Sequence, residues 1–86
     1  MNTLVAEPKA SNVHFDQDIM WVDLVDGRQL GVPLAYFPRL LNATSEQRED
    51  VIISGGGIGL NWEKLDEDIS VPSLLAGLGA RNRQVA

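Results

Sequence analysis

The sequence contains no cysteine, and this absence excludes several kinds of chemistry. Without a thiol the chain can form no disulfide framework, bind no zinc through thiolates and offer no sulfur nucleophile. A chain without cysteine fits a reducing compartment, so we expect a cytoplasmic protein. His14 is the only histidine, and no serine stands in the Gly-x-Ser-x-Gly elbow of a hydrolase. We predict that the protein is not an enzyme, with no catalytic residues, cofactor or metal ion.

Long hydrophobic runs and basic charge are also scarce. No apolar run approaches the roughly 20 residues that a membrane-spanning helix needs, and residues 1–4 lack the basic segment of an export signal. Twelve acidic residues outnumber seven basic ones, which gives a net charge of −5. Because this charge repels phosphate backbones, we expect no direct binding of nucleic acid, and we expect no membrane association.

What the sequence does contain fits one small α+β domain. Its 86 residues suit a single core. We place that core at residues 11–79, between a flexible N-terminal segment (1–10) and a flexible tail (80–86). Apolar and polar residues alternate at 13–15, 20–24 and 30–34, and Asp26-Gly27 has the composition of a type I′ turn. This pattern predicts a three-stranded antiparallel meander.

Helical signals follow the predicted meander. Apolar residues three and four positions apart predict a short helix over residues 34–41, and Thr44 with Gln47 matches a capping box ahead of a helical turn at 45–49. Residues 51–53 and 58–62 predict one or two further short strands. Ser70 has the position of an N-cap for a C-terminal helix, with Pro72 in its first turn.

A glycine cluster between the last predicted strands is a candidate ligand loop. Backbone N–H groups of Gly55, Gly56, Gly57 and Gly59 have the density that can cradle a phosphate. The third glycine of a dinucleotide fingerprint is missing, and no Lys-Ser or Lys-Thr follows for a P-loop. A structural turn is therefore the favoured interpretation. A small-molecule pocket formed by this loop and Trp62 stays open as an alternative.

An acidic run follows the glycine cluster. Glu63, Asp66, Glu67 and Asp68 lie within six positions, but Lys64 and Leu65 interrupt the alternate spacing that a calcium loop requires. A solvated surface, or a patch that meets a basic partner, is favoured over a metal site. A second candidate surface lies on the second predicted strand, and its members are Trp21, Asp23 and Val25. Alternation places Trp21 on the face opposite the apolar residues, and an exposed tryptophan marks a protein interface more often than a catalytic site.

Four segments carry a resemblance to a known family: WVDLVDGR at 21–28, VPLAYFPRLLNAT at 32–44, GGIGLNW at 56–62 and LDEDISV at 65–71. Together they resemble the bacterial family catalogued as domain of unknown function 2442. The resemblance implies a small α+β domain, found alone or joined to a helix-turn-helix module. It also implies an antitoxin-like role beside a small basic partner in putative toxin–antitoxin pairs. Nothing of helix-turn-helix length follows Gly79, which argues against direct reading of DNA.

These observations lead to one hypothesis and one alternative. We expect a non-enzymatic protein-binding module, antitoxin-like, whose acidic surface holds a small basic protein. The alternative is a homodimeric regulatory or ligand-binding domain that uses the loop at residues 55–59. A domain of this size also gains stability from self-association, so a homo-oligomer is compatible with either function.

Overall fold

The computed structural model describes residues 8–77, and its first sheet confirms the predicted meander. Three antiparallel strands, β1 (Ala10–Phe15), β2 (Ile19–Leu24) and β3 (Gln29–Pro33), lie in the order β1-β2-β3. The Asp16 side chain fixes the first turn by accepting hydrogen bonds from the backbone N–H groups of Asp18 and Ile19, at 3.1 and 3.0 Å. Short polar side chains at such turns satisfy backbone donors that the strands leave unpaired.

The second hairpin differs from the expected type I′ turn. Its closing bond runs from Leu24 N to the Arg28 carbonyl at 2.8 Å, which leaves three residues in the loop. A type I′ turn needs positive φ at both central residues, but only Gly27 in this loop has it (φ 97°), and Asp26 does not. Three-residue loops of this kind place their glycine in the left-handed region, so Gly27 alone supplies the required conformation.

The predicted helix over residues 34–41 is split in two. A 3₁₀ turn (Leu34–Tyr36) comes first, and helix α1 (Pro38–Leu41) follows. Phe37 separates them with φ −130° and ψ 88°, outside the helical region. The proline ring clashes with a helical conformation of the preceding residue, so Pro38 can begin a helix but cannot continue one.

Both predicted helix caps are confirmed. At helix α2 (Ser45–Glu49), the Thr44 hydroxyl accepts from Gln47 N at 3.1 Å, and Gln47 Oε1 accepts from Thr44 N at 2.9 Å. At helix α3 (Val71–Leu75), the Ser70 hydroxyl accepts from Ser73 N at 3.3 Å. These bonds satisfy N–H groups that the first turn of a helix leaves without partners.

A second antiparallel sheet contains one strand that the sequence does not predict. Strands β4 (Ile52–Ser54), β5 (Gly59–Trp62) and β6 (Glu67–Ser70) lie in the order β4-β5-β6, and a 3₁₀ turn (Gly55–Gly57) joins the first two. Three strands therefore follow the meander, whereas the sequence predicts one or two. β6 alternates inward and outward residues, but its inward positions hold one acidic and one apolar residue, so the apolar alternation is weak.

The core joins the inner faces of both sheets to the helices. Its largest fully buried side chains come from β2, the 3₁₀ turn, α1, β5 and α3; they are Met20, Val22, Leu34, Leu40, Leu60, Trp62 and Val71. Burial of each such apolar side chain stabilises the fold by about 1.5–3 kcal/mol. Ala10 belongs to β1 and is buried, so the first strand begins one residue before the predicted start of the core. Residues 1–7 and 78–86, which include the predicted tail, lie outside the described residues.

Candidate functional site

Two cross-strand rows of side chains form the solvent-facing side of the first sheet. The alternate residues of β2, Met20 and Val22, are buried, so the residues between them point away from the core. The strand register assigns six residues to this side: His14, Trp21 and Gly31 in one row, and Asn12, Asp23 and Gln29 in the next. We call these six residues the outer face. Trp21 and Asp23, predicted as an interface, are therefore neighbours on one surface.

Trp21 is held in place from two sides. Its ring lies over Gly31 on the neighbouring strand, where a Cβ atom would stand only 2.7 Å from the ring carbon Cζ3. Its indole N–H donates a hydrogen bond to the Asp16 carboxylate at 2.9 Å. The absence of a side chain at Gly31 thus makes room for the ring, and the side chain is half-buried. An anchor that is already ordered loses little conformational entropy on binding.

Asp23 stands at the centre of a hydrogen-bonded group. Its carboxylate accepts from Gln29 Nε2 at 2.8 Å and from Asn12 Nδ2 at 3.4 Å, and His14 Nδ1 lies 3.9 Å away. The hydrogen bond from Gln29 is the largest of the effects that lower the pKa of Asp23 below its ordinary value. The hydrogen bond from Asn12 and the charge of His14 act in the same direction, and some desolvation opposes them. Hydrogen bonds from Trp21 and from backbone N–H groups lower the pKa of Asp16 in the same way. Both carboxylates therefore stay charged at neutral pH.

Val25 lies at one end of this sheet, beyond the outer face. It belongs to the loop between β2 and β3, its side chain is 66% exposed, and its N–H donates to the Lys9 carbonyl. In the same loop Asp26 pairs with Arg28, with 2.8 Å between the carboxylate oxygen and Nη2. Val25 is therefore an exposed apolar residue beside an internally paired charge.

The predicted acidic run does not form one surface. Glu63 and Asp66 are exposed in the turn between β5 and β6, where Asp66 adopts a φ of +54° and Arg39 of α1 bonds to its carbonyl. Glu67 is buried, with 9% of its surface exposed, and so does not belong to the exposed acidic patch that the sequence suggests. Asp68 points outward from the second sheet, where it accepts from Asn61 Nδ2 at 2.6 Å.

The two groups of predicted interface residues also lie apart. Val25 is beside Lys9, at the end of the first sheet where β1 begins. The turn that contains Glu63 and Asp66 is contacted instead by Arg39, in the helix that follows the opposite end of β3. Val25 and this turn are therefore contacted by different segments of the chain, the residue before β1 and the helix after β3.

The glycine loop has a packing role that its position explains. Gly55, Gly56 and Gly57 all adopt positive φ, and a Cβ atom on Gly57 would lie 2.7 Å from the Ala10 carbonyl oxygen of β1. Only glycine combines this conformation with so close a backbone approach. Gly59 meets a similar limit, with Ser54 Oγ 2.8 Å from its Cβ position. The loop thus joins the second sheet to the beginning of the first.

Trp62, the other member of the alternative ligand site, is a core residue. It is 1% exposed, and its indole N–H donates to the Arg48 carbonyl at 2.9 Å. A cavity of about 300 Å³ lies between the β1–β2 turn and α2, and one of about 180 Å³ lies beside β3. Neither is lined by the glycine loop or by Trp62. Neither of these two cavities therefore corresponds to the small-molecule pocket predicted from the glycine loop and Trp62.

The described residues carry a surplus of negative charge. Residues 8–77 include eleven of the twelve carboxylates and five of the seven basic side chains. Three of these five are occupied within the fold: Arg28 pairs with Asp26, Arg39 bonds to Asp66, and Arg48 donates to the two carbonyls that end α1 at 2.8 Å. Eleven carboxylates and five basic side chains give the described residues a net negative charge.

Within residues 8–77 there is no group of three or more His, Cys, Asp or Glu side chains placed to hold a metal ion. Over the same range, the helices are too short or too polar to cross a membrane.

A further surface feature is the outer edge of the first sheet. β3 is the last strand of the first sheet, and the 180 Å³ cavity runs beside it, where Leu30 and Val32 approach Tyr36 and Leu74. Local alternation identifies β3 as a strand but not as an edge. Pro33, which cannot donate to a ladder, is the one signal in the sequence for that position.

Two solved structures share this fold. A protein of unknown function from Rhodospirillum rubrum is 35% identical, with a TM-score of 0.80 over 94% of this chain and 100% of that one. An uncharacterised protein from Chromobacterium violaceum, solved by solution NMR, is 26% identical, with a TM-score of 0.70 over 91% of this chain and 78% of that one. A family model described as "Protein of unknown function (DUF2442)" matches residues 10–80. No curated protein matches the chain.

Proposed function

The chain belongs to the family of proteins of unknown function DUF2442, and we propose that it is a non-enzymatic module that binds a small basic protein through its outer face. The observation that carries this proposal is the placement of Trp21 and Asp23 in adjacent rows of one surface. Trp21 is an ordered aromatic side chain, and Asp23 is a carboxylate that three neighbouring polar groups orient. Binding energy at protein interfaces concentrates in such aromatic anchors, and complementary charge adds specificity and association rate.

The charge of the domain supports the same partner. Because its described residues carry eleven carboxylates and only five basic side chains, the domain attracts a basic protein and repels an acidic one. The antitoxin-like role in a bacterial pair, suggested by the family resemblance, is the biological setting that we propose for this binding. In that setting the module sequesters its basic partner in the cytoplasm.

The proposal is tested by co-expression of the full chain with the proteins encoded beside its gene. A tag on the chain isolates the complex, and size-exclusion chromatography with light scattering gives its stoichiometry. We expect a one-to-one complex with a small basic protein that dissociates as the salt concentration rises, because exposed charges are screened over about 8 Å at physiological ionic strength and over about 3 Å at 1 M. A chain that elutes without a partner at every salt concentration would contradict the proposal.

A further inference from the structure

The outer edge of β3 offers backbone hydrogen-bonding groups to an incoming strand. β3 ends the first sheet, and no strand among residues 8–77 pairs with its outer side. At the two ends of this strand, the Arg28 carbonyl and the Leu34 N–H bond to the β2 side at 2.8 and 2.9 Å. Because bonding direction alternates along an antiparallel strand, the N–H and C=O groups of Gln29 and Gly31 face outward. These groups form a short edge, which Pro33 ends because it has no N–H.

An apolar groove lies on the inner side of this edge. A cavity of about 180 Å³ is lined there by four larger side chains, Leu30, Val32, Tyr36 and Leu74, together with Gly31, Pro33 and Gly77. A strand added to β3 lies about 4.8 Å from it and points alternate side chains to opposite faces. The inward side chains of such a strand therefore enter the groove, which favours aliphatic residues at those positions.

On the other side of the same edge lies Trp21. Its ring covers Gly31, so a residue that pairs with Gly31 places its own side chain on the outer face, beside the indole. Asp16 bonds to the indole N–H, and Asp23 lies in the next row. An arginine or lysine at that position would meet both an aromatic ring and negative charge, two favourable environments for a cation.

We propose that the edge of β3 receives an extended segment of the basic partner, with basic side chains toward Trp21 and aliphatic side chains toward the groove. The proposal rests on the proposed function and adds the mode of recognition, which is strand addition. The negative charge of the domain and the alternation of polar and apolar surfaces across one edge select this occupant. The pattern that β3 selects is thus a short strand in which basic and aliphatic residues alternate.

The first test uses two synthetic peptides and the full chain labelled with ¹⁵N. One is a capped heptapeptide of alternating arginine and valine, and the other has the same sequence and charge with its arginine amides N-methylated. We expect the first to shift the amide signals of Gln29 and Gly31 and the Trp21 indole signal, with saturation. The N-methylated peptide should bind at least about tenfold more weakly, because it lacks the N–H groups that would donate hydrogen bonds to the edge of β3. Equal binding of both peptides, or no shifts at β3 with either, would overturn strand addition.

The second test separates this inference from the proposed function. In the complex of the full chain with its co-expressed partner, we expect the amides of Gln29 and Gly31 to gain protection from hydrogen exchange. A complex that forms without this protection would overturn strand addition and leave the binding function intact. Absence of any complex would overturn both. Protection in the free chain that disappears on dilution would assign the edge to a second copy of the chain, and would also overturn the proposal.

Discussion

The replacement of Gly57 by alanine should destabilise the domain strongly. Its φ of +113° costs a residue with a side chain about 1–3 kcal/mol. The new Cβ would also lie 2.7 Å from the Ala10 carbonyl oxygen and 2.9 Å from its nitrogen, and relief of such overpacking costs about 1–3 kcal/mol more. We therefore expect a loss of about 2–6 kcal/mol in the free energy of unfolding, measured by urea denaturation. A domain of this length has about 4–13 kcal/mol in total.

Gly56→Ala provides the matched control for this measurement. Gly56 lies in the same turn with a φ of +70°, but nothing stands within 4 Å of its Cβ position. The control should lose only the conformational cost, about 1–2 kcal/mol. The difference between the two variants isolates the contact between the turn and β1. If Gly57→Ala and Gly56→Ala lose the same stability within about 0.5 kcal/mol, the packing role assigned to this glycine is wrong.

Three further predictions concern one helix cap, one core tryptophan and one turn carboxylate. Thr44→Ala removes one half of the capping box and should cost about 1 kcal/mol in urea denaturation, whereas Ser45→Ala should cost much less. Trp62→Phe leaves the Arg48 carbonyl without its indole donor and should cost about 1–3 kcal/mol; a neutral result would refute the role of that bond. The lowered pKa of Asp16 means that its contribution to stability is complete above the ordinary value of 3.8 and is lost as the pH falls below it. Asp16→Asn should therefore lose less stability than the wild type between about pH 5 and about pH 2.5, and an equal loss would contradict this assignment.

The meander and the helix caps were predictable because their signals are local. Alternation over five or six residues identifies a strand, and the pairing of Thr44 with Gln47 spans only three positions. The same local logic failed at Phe37, where the apolar spacing of a helix continues through a residue that Pro38 forces out of helical conformation. The spacing of apolar residues indicates which residues face the core. It does not show that a proline interrupts the helical backbone between them.

β6 was missed because its sequence is dominated by charge. Of its two inward residues, Glu67 and Ile69, the first is an acidic residue that analysis of the sequence assigns to the surface. Acidic side chains are rarely buried, so a buried glutamate defeats a prediction based on hydrophobicity. Because this strand was not predicted, Glu67 was assigned to the exposed surface, whereas it is buried.

The sequence predicts the side of β2 on which two residues of the outer face lie, but not the contacts that these residues make. Alternation was enough to place Trp21 and Asp23 on the solvent side of β2. Their partners come from other strands: Gly31 lies beneath the ring, and Gln29 bonds to the carboxylate. Cross-strand register decides these contacts, and no local pattern in a single sequence specifies it.

The measurement that tests the account most directly is calorimetric titration of the co-purified basic partner into two variants of the chain. Asp23→Asn removes one charge from the outer face, and Asp50→Asn removes one exposed charge at the end of α2, outside that face. The account predicts that Asp23→Asn raises the dissociation constant about tenfold or more, whereas Asp50→Asn changes it by less than about threefold. Equal effects of the two substitutions would show that the partner responds only to net charge, and would contradict binding at the outer face.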